Sequence, residues 1–73
     1  MNNLPLVLKS LRRLSKKTQI EIAELLEITP RQYQRYEEGS QEPSIDKLIA
    51  LAQYFDVSLD YLVGLTDNKA INK

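Results

Sequence analysis

Hydrophobic residues recur along this chain at intervals of three and four, and no stretch alternates apolar and polar residues as a half-buried strand does. Glycine and proline are sparse, with two and three residues respectively. Both features favour an all-α domain. The first helix is predicted near Leu4–Ser15, with Leu8 and Leu11 facing inward. Pro5 is tolerated there because it falls in the first helical turn.

Two further helices are marked by their capping residues. Thr18 and Glu21 have the spacing of a capping box, which predicts a second helix over about Gln19–Leu26. Its predicted inward residues are Ile22, Ala23 and Leu26. Thr29 is predicted to cap a third helix, which has Pro30 at its first position and ends at Gly39.

The link between the second and third helices is only Glu27–Thr29, which forces a sharp crossing and close packing. The small Ala23 allows the next helix to approach, and Ile28 can fill the corner. By this physical reasoning the segment is a helix-turn-helix.

The chain continues with two more predicted helices. The fourth opens at Pro43-Ser44, and the fifth is capped by Ser58 and reaches about Gly64. The predicted inward positions of the fourth helix are Ile45, Leu48, Ile49, Ala52 and Phe55. Residues 1–65 are therefore expected to form one compact five-helix domain, and residues 66–73 a flexible tail.

Composition excludes several classes of function. The 73 residues include neither cysteine nor histidine, so there is no disulfide framework, no thiolate metal site and no histidine base. We expect no cofactor, no metal and no enzymatic activity; Asp56, Asp60 and Asp67 are interpreted as helix caps or solvated acids. No apolar run approaches the ~18 residues of a membrane span. The absence of cysteine fits a cytoplasmic location.

Charge is distributed unevenly although the net charge is zero. Residues 1–36 carry seven cations against three acids, and residues 37–73 carry three cations against seven acids. A neutral chain can therefore still present one basic face, which keeps nucleic acid among the possible partners.

The segment "TPRQYQRYEEG" (29–39) places this basic face on the third helix. At about 100° per residue, one sector of about 140° contains Pro30, Arg31, Gln34 and Arg35. Tyr33, Tyr36 and Glu37 lie on the opposite side. Like charges at i and i+4 destabilise an isolated helix, so the two exposed arginines favour a negatively charged partner. An ordinary solvated helix face is the alternative.

The sequence resembles the phage-repressor/Cro-like (Xre-type) helix-turn-helix family over about residues 8–65. The motifs that carry the resemblance are "TQIEIA", "RYEEG", "EPS" and "VSLDYL". The resemblance implies a compact, five-helix, lambda-repressor-like DNA-binding domain that works as a dimer on double-stranded DNA. Its recognition helix would cover about 29–38 and enter the major groove.

The resemblance also implies roles for individual residues. The expected base-reading residues are Pro30, Arg31, Gln34 and Arg35. The expected phosphate-binding residues are Gln19, Lys17, Thr29, Gln32 and Gln41. Arg12 and Glu37 match a pair of positions that often forms an ion pair.

This chain departs from the family pattern at several places. Glu27 replaces the usual glycine of the turn and would be strained if its φ were positive. Lys17 replaces an apolar residue, while Ile20 and Leu25 are apolar where polar residues are usual.

Two classes of function remain open on the sequence. The first is a small transcriptional regulator, expected to be a repressor, with dimer contacts near Leu59, Leu62, Leu65 and Ile71. The alternative is a protein-interaction module, such as an antitoxin or accessory factor, that uses the same fold. The sequence names neither the operator nor any small-molecule inducer.

Overall fold

The computed structural model describes residues 4–64 and contains five α-helices and no strand within that range. The helices are α1 (Leu4–Leu14), α2 (Gln19–Leu26), α3 (Pro30–Glu38), α4 (Ile45–Phe55) and α5 (Leu59–Leu62). The predicted all-α, five-helix fold is confirmed. The first helix ends one residue earlier than predicted, and the fifth is shorter. The predicted domain end at residue 65 and the tail at 66–73 lie outside the described residues.

Four of the five helices begin at a hydroxyl cap. The side chains of Thr18, Thr29, Ser44 and Ser58 each accept a hydrogen bond from the backbone N–H three residues later. At Thr18 the capping box is complete, because Glu21 Oε1 accepts from the Thr18 N–H at 2.9 Å. These hydrogen bonds pair backbone donors that a helix N-terminus leaves unsatisfied.

Three helices end at a non-glycine residue in the left-handed conformation. Lys16, Glu27 and Asp56 have φ of 58°, 58° and 56° respectively. After α2, the Glu27 N–H donates to Glu24 O at 3.1 Å and the Ile28 N–H donates to Ala23 O at 3.0 Å. This pair of bonds is a Schellman motif, which ends the helix within one residue and turns the chain sharply.

Side chains from all five helices meet in one core. The buried apolar residues are Leu4, Leu8, Leu11, Ile22, Ala23, Leu26, Tyr33, Tyr36, Leu48, Leu51, Ala52, Val57 and Leu62. The inward faces predicted for the first three helices are therefore confirmed. α3 packs against both α1 and α2, so the third helix is supported on two sides.

The predicted inward face of α4 is wrong in part. Ile45 and Ile49 are 59% and 42% exposed, whereas Leu51 is fully buried. The core-facing stripe is Leu48, Leu51, Ala52 and the partly buried Phe55. This stripe is rotated by roughly 50° about the helix axis from the predicted one. The apolar surface of α4 is wider than the part that packs against the core, so periodicity did not show which part is buried.

The end of α3 lies against the start of α1. Gly39 has φ of +84°, and a Cβ atom placed there would lie 3.2 Å from Pro5 Cγ. Glycine is therefore favoured at this position both by backbone conformation and by space. Across residues 4–64, no helix is long and apolar enough to cross a membrane.

Glu27→Gly should raise the free energy of unfolding by up to about 1.6 kcal/mol. The left-handed conformation costs an L-residue about 1–2 kcal/mol, and the greater freedom of glycine in the unfolded chain cancels about 0.4–1 kcal/mol of that gain. Urea denaturation measures the difference. Glu24→Gly is the matched control, because it removes an exposed carboxylate from the interior of the same helix and should cost about 1 kcal/mol. Equal losses in both variants would show that the turn is unstrained.

Candidate nucleic-acid interface

Backbone hydrogen bonds close the turn between α2 and α3, and a lysine clamp ties α4 to the end of α2. The turn places Ala23, which is fully buried, beneath the third helix. Lys47 Nζ of α4 donates to the carbonyl oxygen of Leu26 at 2.6 Å. An ammonium group at a helix C-terminus pairs an unsatisfied carbonyl and interacts favourably with the helix dipole. Three helices are thereby joined at the turn.

α3 separates its apolar and polar side chains onto opposite faces. Tyr33, Tyr36 and Glu37 are buried, whereas Pro30, Arg31 and Arg35 are exposed and Gln34 is partly buried. The Tyr33 and Tyr36 rings meet edge to face, with centroids 6.1 Å apart. The structure therefore brings the four predicted base-reading residues onto one surface of the helix. Arg31 Nη1 donates to Gln34 Oε1 across that surface at 2.9 Å.

A buried carboxylate joins the end of α3 to α1 and α2. Glu37 accepts from Arg12 through two bonds, Nε to Oε2 at 2.6 Å and Nη2 to Oε1 at 3.1 Å. Gln19 Nε2 donates to the same Oε1 at 3.0 Å. The third group of the guanidinium, Nη1, donates to the carbonyl oxygen of Lys17 at 3.1 Å. The structure thus brings the predicted pair of Arg12 and Glu37 into contact and adds Gln19 to it.

The ionisation of this cluster follows from its contacts. Burial on its own would raise the pKa of Glu37, but Arg12, the nearby Tyr33 hydroxyl and Gln19 together outweigh burial and lower that pKa below its usual value. The same hydrogen bond to Glu37 raises the pKa of Arg12. Both groups are therefore charged near neutral pH, and each removes the cost of burying the other.

The Tyr33 hydroxyl lies beside this cluster. Its oxygen is buried and has no partner with good hydrogen-bond geometry among residues 4–64. Burial, followed by the proximity of the Glu37 carboxylate, raises the pKa of Tyr33. The hydroxyl is therefore neutral, and it is coupled to Glu37 and Arg12 by charge rather than by a well-formed hydrogen bond.

The five predicted phosphate-binding residues are distributed around α3. Gln19 is held by Glu37, and Lys17 is partly buried. Thr29 Oγ1 accepts from the Gln32 N–H at 3.1 Å, and Gln32 Nε2 donates to Tyr36 Oη at 3.4 Å. Gln41 lines a cavity of about 140 Å³ between the start of α1 and the loop after α3.

Residues 8–62 match the family model described as Helix-turn-helix. The chain belongs to the helix-turn-helix family, of the Xre/Cro-like type. α2 and α3 are the two helices of the helix-turn-helix motif.

Relatives of this helix-turn-helix chain occur in Bacillus subtilis strain 168. It is 44% identical over 61 residues to the uncharacterized HTH-type transcriptional regulator YobD, covering 84% of this chain and 54% of the relative. It is 42% identical over 64 residues to the uncharacterized HTH-type transcriptional regulator YqaE, covering 88% of this chain and 55% of the relative. The chain thus spans about half the length of these relatives. No solved structure matches it.

Two polar residues of the helix-turn-helix region were missed by the sequence analysis. Glu38 lies at about 80° on the wheel that has Pro30 at zero, inside the arginine sector, so helical periodicity could have identified it. Its carboxylate Oε2 is 3.8 Å from Arg31 Nη1. The contact of Lys47 with Leu26 had no comparable signal, because it joins residues that are far apart in sequence.

Arg12→Met should lower the free energy of unfolding by about 3 kcal/mol at pH 7, because it leaves the Glu37 carboxylate buried without its partner. Burial then raises the pKa of Glu37, so acidification towards pH 5 should stabilise this variant. In the wild type the pKa of Glu37 is lowered. The contribution of the Glu37 carboxylate to the free energy of unfolding therefore persists until the pH falls below about 4.3, the ordinary pKa of glutamate.

Urea denaturation at pH 7 and pH 5 measures both effects. Arg13→Met is the matched control, because Arg13 is the exposed neighbour on the same helix and should change stability by less than about 0.5 kcal/mol. Equal and pH-independent losses in the two variants would contradict a stabilising role for the buried pair.

Proposed function

We propose that this chain binds double-stranded DNA in a sequence-specific way as a small transcriptional regulator, with α3 as the recognition helix in the major groove. The observation that carries the proposal is the exposed surface of α3, where Arg31 and Arg35 stand together while Tyr33 and Tyr36 are buried behind them. The relatives with 44% and 42% identity are named as HTH-type transcriptional regulators, which supports the same function. Repression is the mode of regulation that we favour.

Base readout is assigned to the exposed side chains of α3. Arg31 and Arg35 can each donate two hydrogen bonds to O6 and N7 of guanine, the commonest specific contact in the major groove. Pro30 stands at the first helical position, where its ring can contact a thymine methyl group. Gln34 lies between the arginines on the same surface and can donate to a base edge or to a phosphate.

Phosphate contacts are assigned to the groups that flank this helix. Gln19 and Lys17 stand at the start of α2, Thr29 and Gln32 at the start of α3, and Gln41 in the loop after α3. Such contacts set the register of a protein on DNA without reading its sequence. The hydrogen bond from Gln19 to Glu37 supports this assignment, because it ties a phosphate-binding group directly to the recognition helix.

We also propose that two copies bind together, because one recognition helix reads only a few base pairs. The predicted dimer surface needs correction, since Leu62 is fully buried and cannot form it. Leu65 and Ile71 lie outside the described residues. Leu59 remains, and it lines a groove of about 390 Å³ between α4 and α5 together with Ile49, which is 42% exposed. We place the dimer contact there.

Arg31→Ala and Arg35→Ala should each weaken binding to the preferred site by about 1–3 kcal/mol and relax base choice at one position. Gln19→Ala should instead weaken binding to all sequences equally. Selection from a random duplex library defines the preferred site, and fluorescence anisotropy measures the affinities. The arginine variants should fold normally, because both side chains are exposed.

Failure of selection to enrich any sequence would favour the alternative of a protein-interaction module. Unchanged affinity and base preference in both arginine variants would refute α3 as the reading helix.

The preferred site should be palindromic, with half-sites about 34 Å apart, and should bind two copies of the chain. Leu59→Glu should reduce the binding of the second copy, because it places a charge in the proposed contact. Ile45→Glu is the control, because Ile45 is exposed and lies outside the groove lining. Leu59 is partly buried, so circular dichroism establishes that Leu59→Glu is folded. Sedimentation of the protein–duplex complex measures the stoichiometry. One copy per duplex at saturation would contradict two-fold binding.

A further inference from the structure

The recognition surface of α3 contains an acid that the proposed function leaves unexplained. Glu38 is the last residue of the helix and is exposed, with 46% of its side-chain surface accessible. Its direction, about 80° from Pro30, lies between those of Gln34 and Arg31. A carboxylate in this position repels DNA phosphates and therefore weakens binding to any sequence.

The stability of α3 does not explain why an acid stands at position 38. A negative charge in the last turn of a helix interacts unfavourably with the helix dipole. Its contact with Arg31 at 3.8 Å joins side chains that are 46% and 61% exposed, and an ion pair so exposed contributes little to folding. Glu38 is therefore better explained by what it does to Arg31 than by what it does for the fold.

The geometry of Arg31 shows what that effect is. Gln34 Oε1 accepts from its Nη1 at 2.9 Å, and Glu38 Oε2 lies 3.8 Å from the same Nη1. Among residues 4–64, no group accepts a hydrogen bond from its Nε or Nη2. One corner of the guanidinium is thus held by the helix, while the edge formed by Nε and Nη2 stays open.

The open edge is the part that guanine requires. Nε and Nη2 are two parallel donors that match the O6 and N7 acceptors of one guanine. Arg31 can therefore keep both helix contacts while it reads a base. Turning the side chain out to a phosphate would move Nη1 away from Gln34 and Glu38 and lose both contacts.

We propose that Glu38 is a specificity-determining residue. Together with Gln34 it holds Arg31 in an orientation that can contact guanine and disfavours an orientation that contacts a phosphate. This inference rests on the proposed function. The Arg31–Glu38 contact is kept in the complex with the preferred site and lost in complexes with unrelated DNA. Glu38 therefore lowers binding to unrelated sequences more than binding to the preferred one, and it increases the ratio between the two affinities.

The test measures that ratio by fluorescence anisotropy for wild type, Glu38→Gln, Arg31→Ala and the double variant. The probes are the selected duplex and an unrelated duplex of equal length. Glu38→Gln should lower the ratio by about 1.5- to 5-fold per recognition helix, the range expected for an exposed ion pair. In the Arg31→Ala background the same change should leave the ratio unaltered, because the side chain that Glu38 positions is gone.

Two further variants separate position from charge. Glu38→Asp keeps the charge but shortens the side chain by one methylene, so it should lower the ratio as Glu38→Gln does, while raising the affinity for both duplexes less than Glu38→Gln, because the negative charge is retained. Asp56→Asn removes one exposed carboxylate from the end of α4, outside the groove lining, and should leave the ratio at the wild-type value. Thermal unfolding followed by circular dichroism establishes that each variant is folded.

The outcomes distinguish the two proposals. A wild-type chain without sequence preference refutes the proposed function. A wild type that prefers its site, with an unchanged ratio in Glu38→Gln, refutes the role of Glu38 alone. A ratio that still changes in the Arg31→Ala background also refutes it, since Glu38 would then read a base directly.

Discussion

The position of the recognition helix depends on the burial of one carboxylate. Glu37 lies on the inward side of α3 with 2% of its side-chain surface accessible, so it must be paired or protonated. Arg12 of α1 and Gln19 of α2 donate hydrogen bonds to this carboxylate. Its Oε1 accepts from both residues, and its Oε2 accepts from Arg12. Because the three residues come from three helices, satisfying this one charge fixes α3 relative to both of its neighbours.

Short connections make that arrangement possible. The left-handed residue Glu27 comes directly after α2, and the left-handed Lys16 comes two residues after α1, which leaves little chain between one helix and the next. Lys47 of α4 then donates a hydrogen bond to the carbonyl oxygen of Leu26 at the end of α2. Together the turn and the clamp present Arg31 and Arg35 from a rigid base.

The sequence predicted the helix starts well because their signals are local. Hydroxyl residues such as Thr18 and Ser44 act within their own helix, so the spacing of three residues suffices. The pairing of Arg12 with Glu37 joins residues 25 positions apart, and only the family resemblance suggested it.

The errors arose where periodicity cannot tell one apolar surface from another. Ile45 and Ile49 repeat at helical spacing just as Leu48 and Ala52 do, yet only the latter two are buried, because the choice depends on where the neighbouring helices lie. Leu62 was assigned to a dimer surface for the same reason and is in the core. Glu38, by contrast, falls in the same sector of the helical projection as the arginines, so periodicity could have identified it.

The Lys47 clamp also changes the electric field around the domain. Residues 37–64 contain no other lysine or arginine, and this one directs its ammonium group at the carbonyl of Leu26. The exposed acids Glu42, Asp46, Asp56 and Asp60 are then left without a cation that projects freely from the same half. The domain is electrically polar although the formal net charge of the chain is zero. Near a polyanion such a molecule experiences a torque, which would turn α4 and α5 away and bring α3 forward before any contact forms.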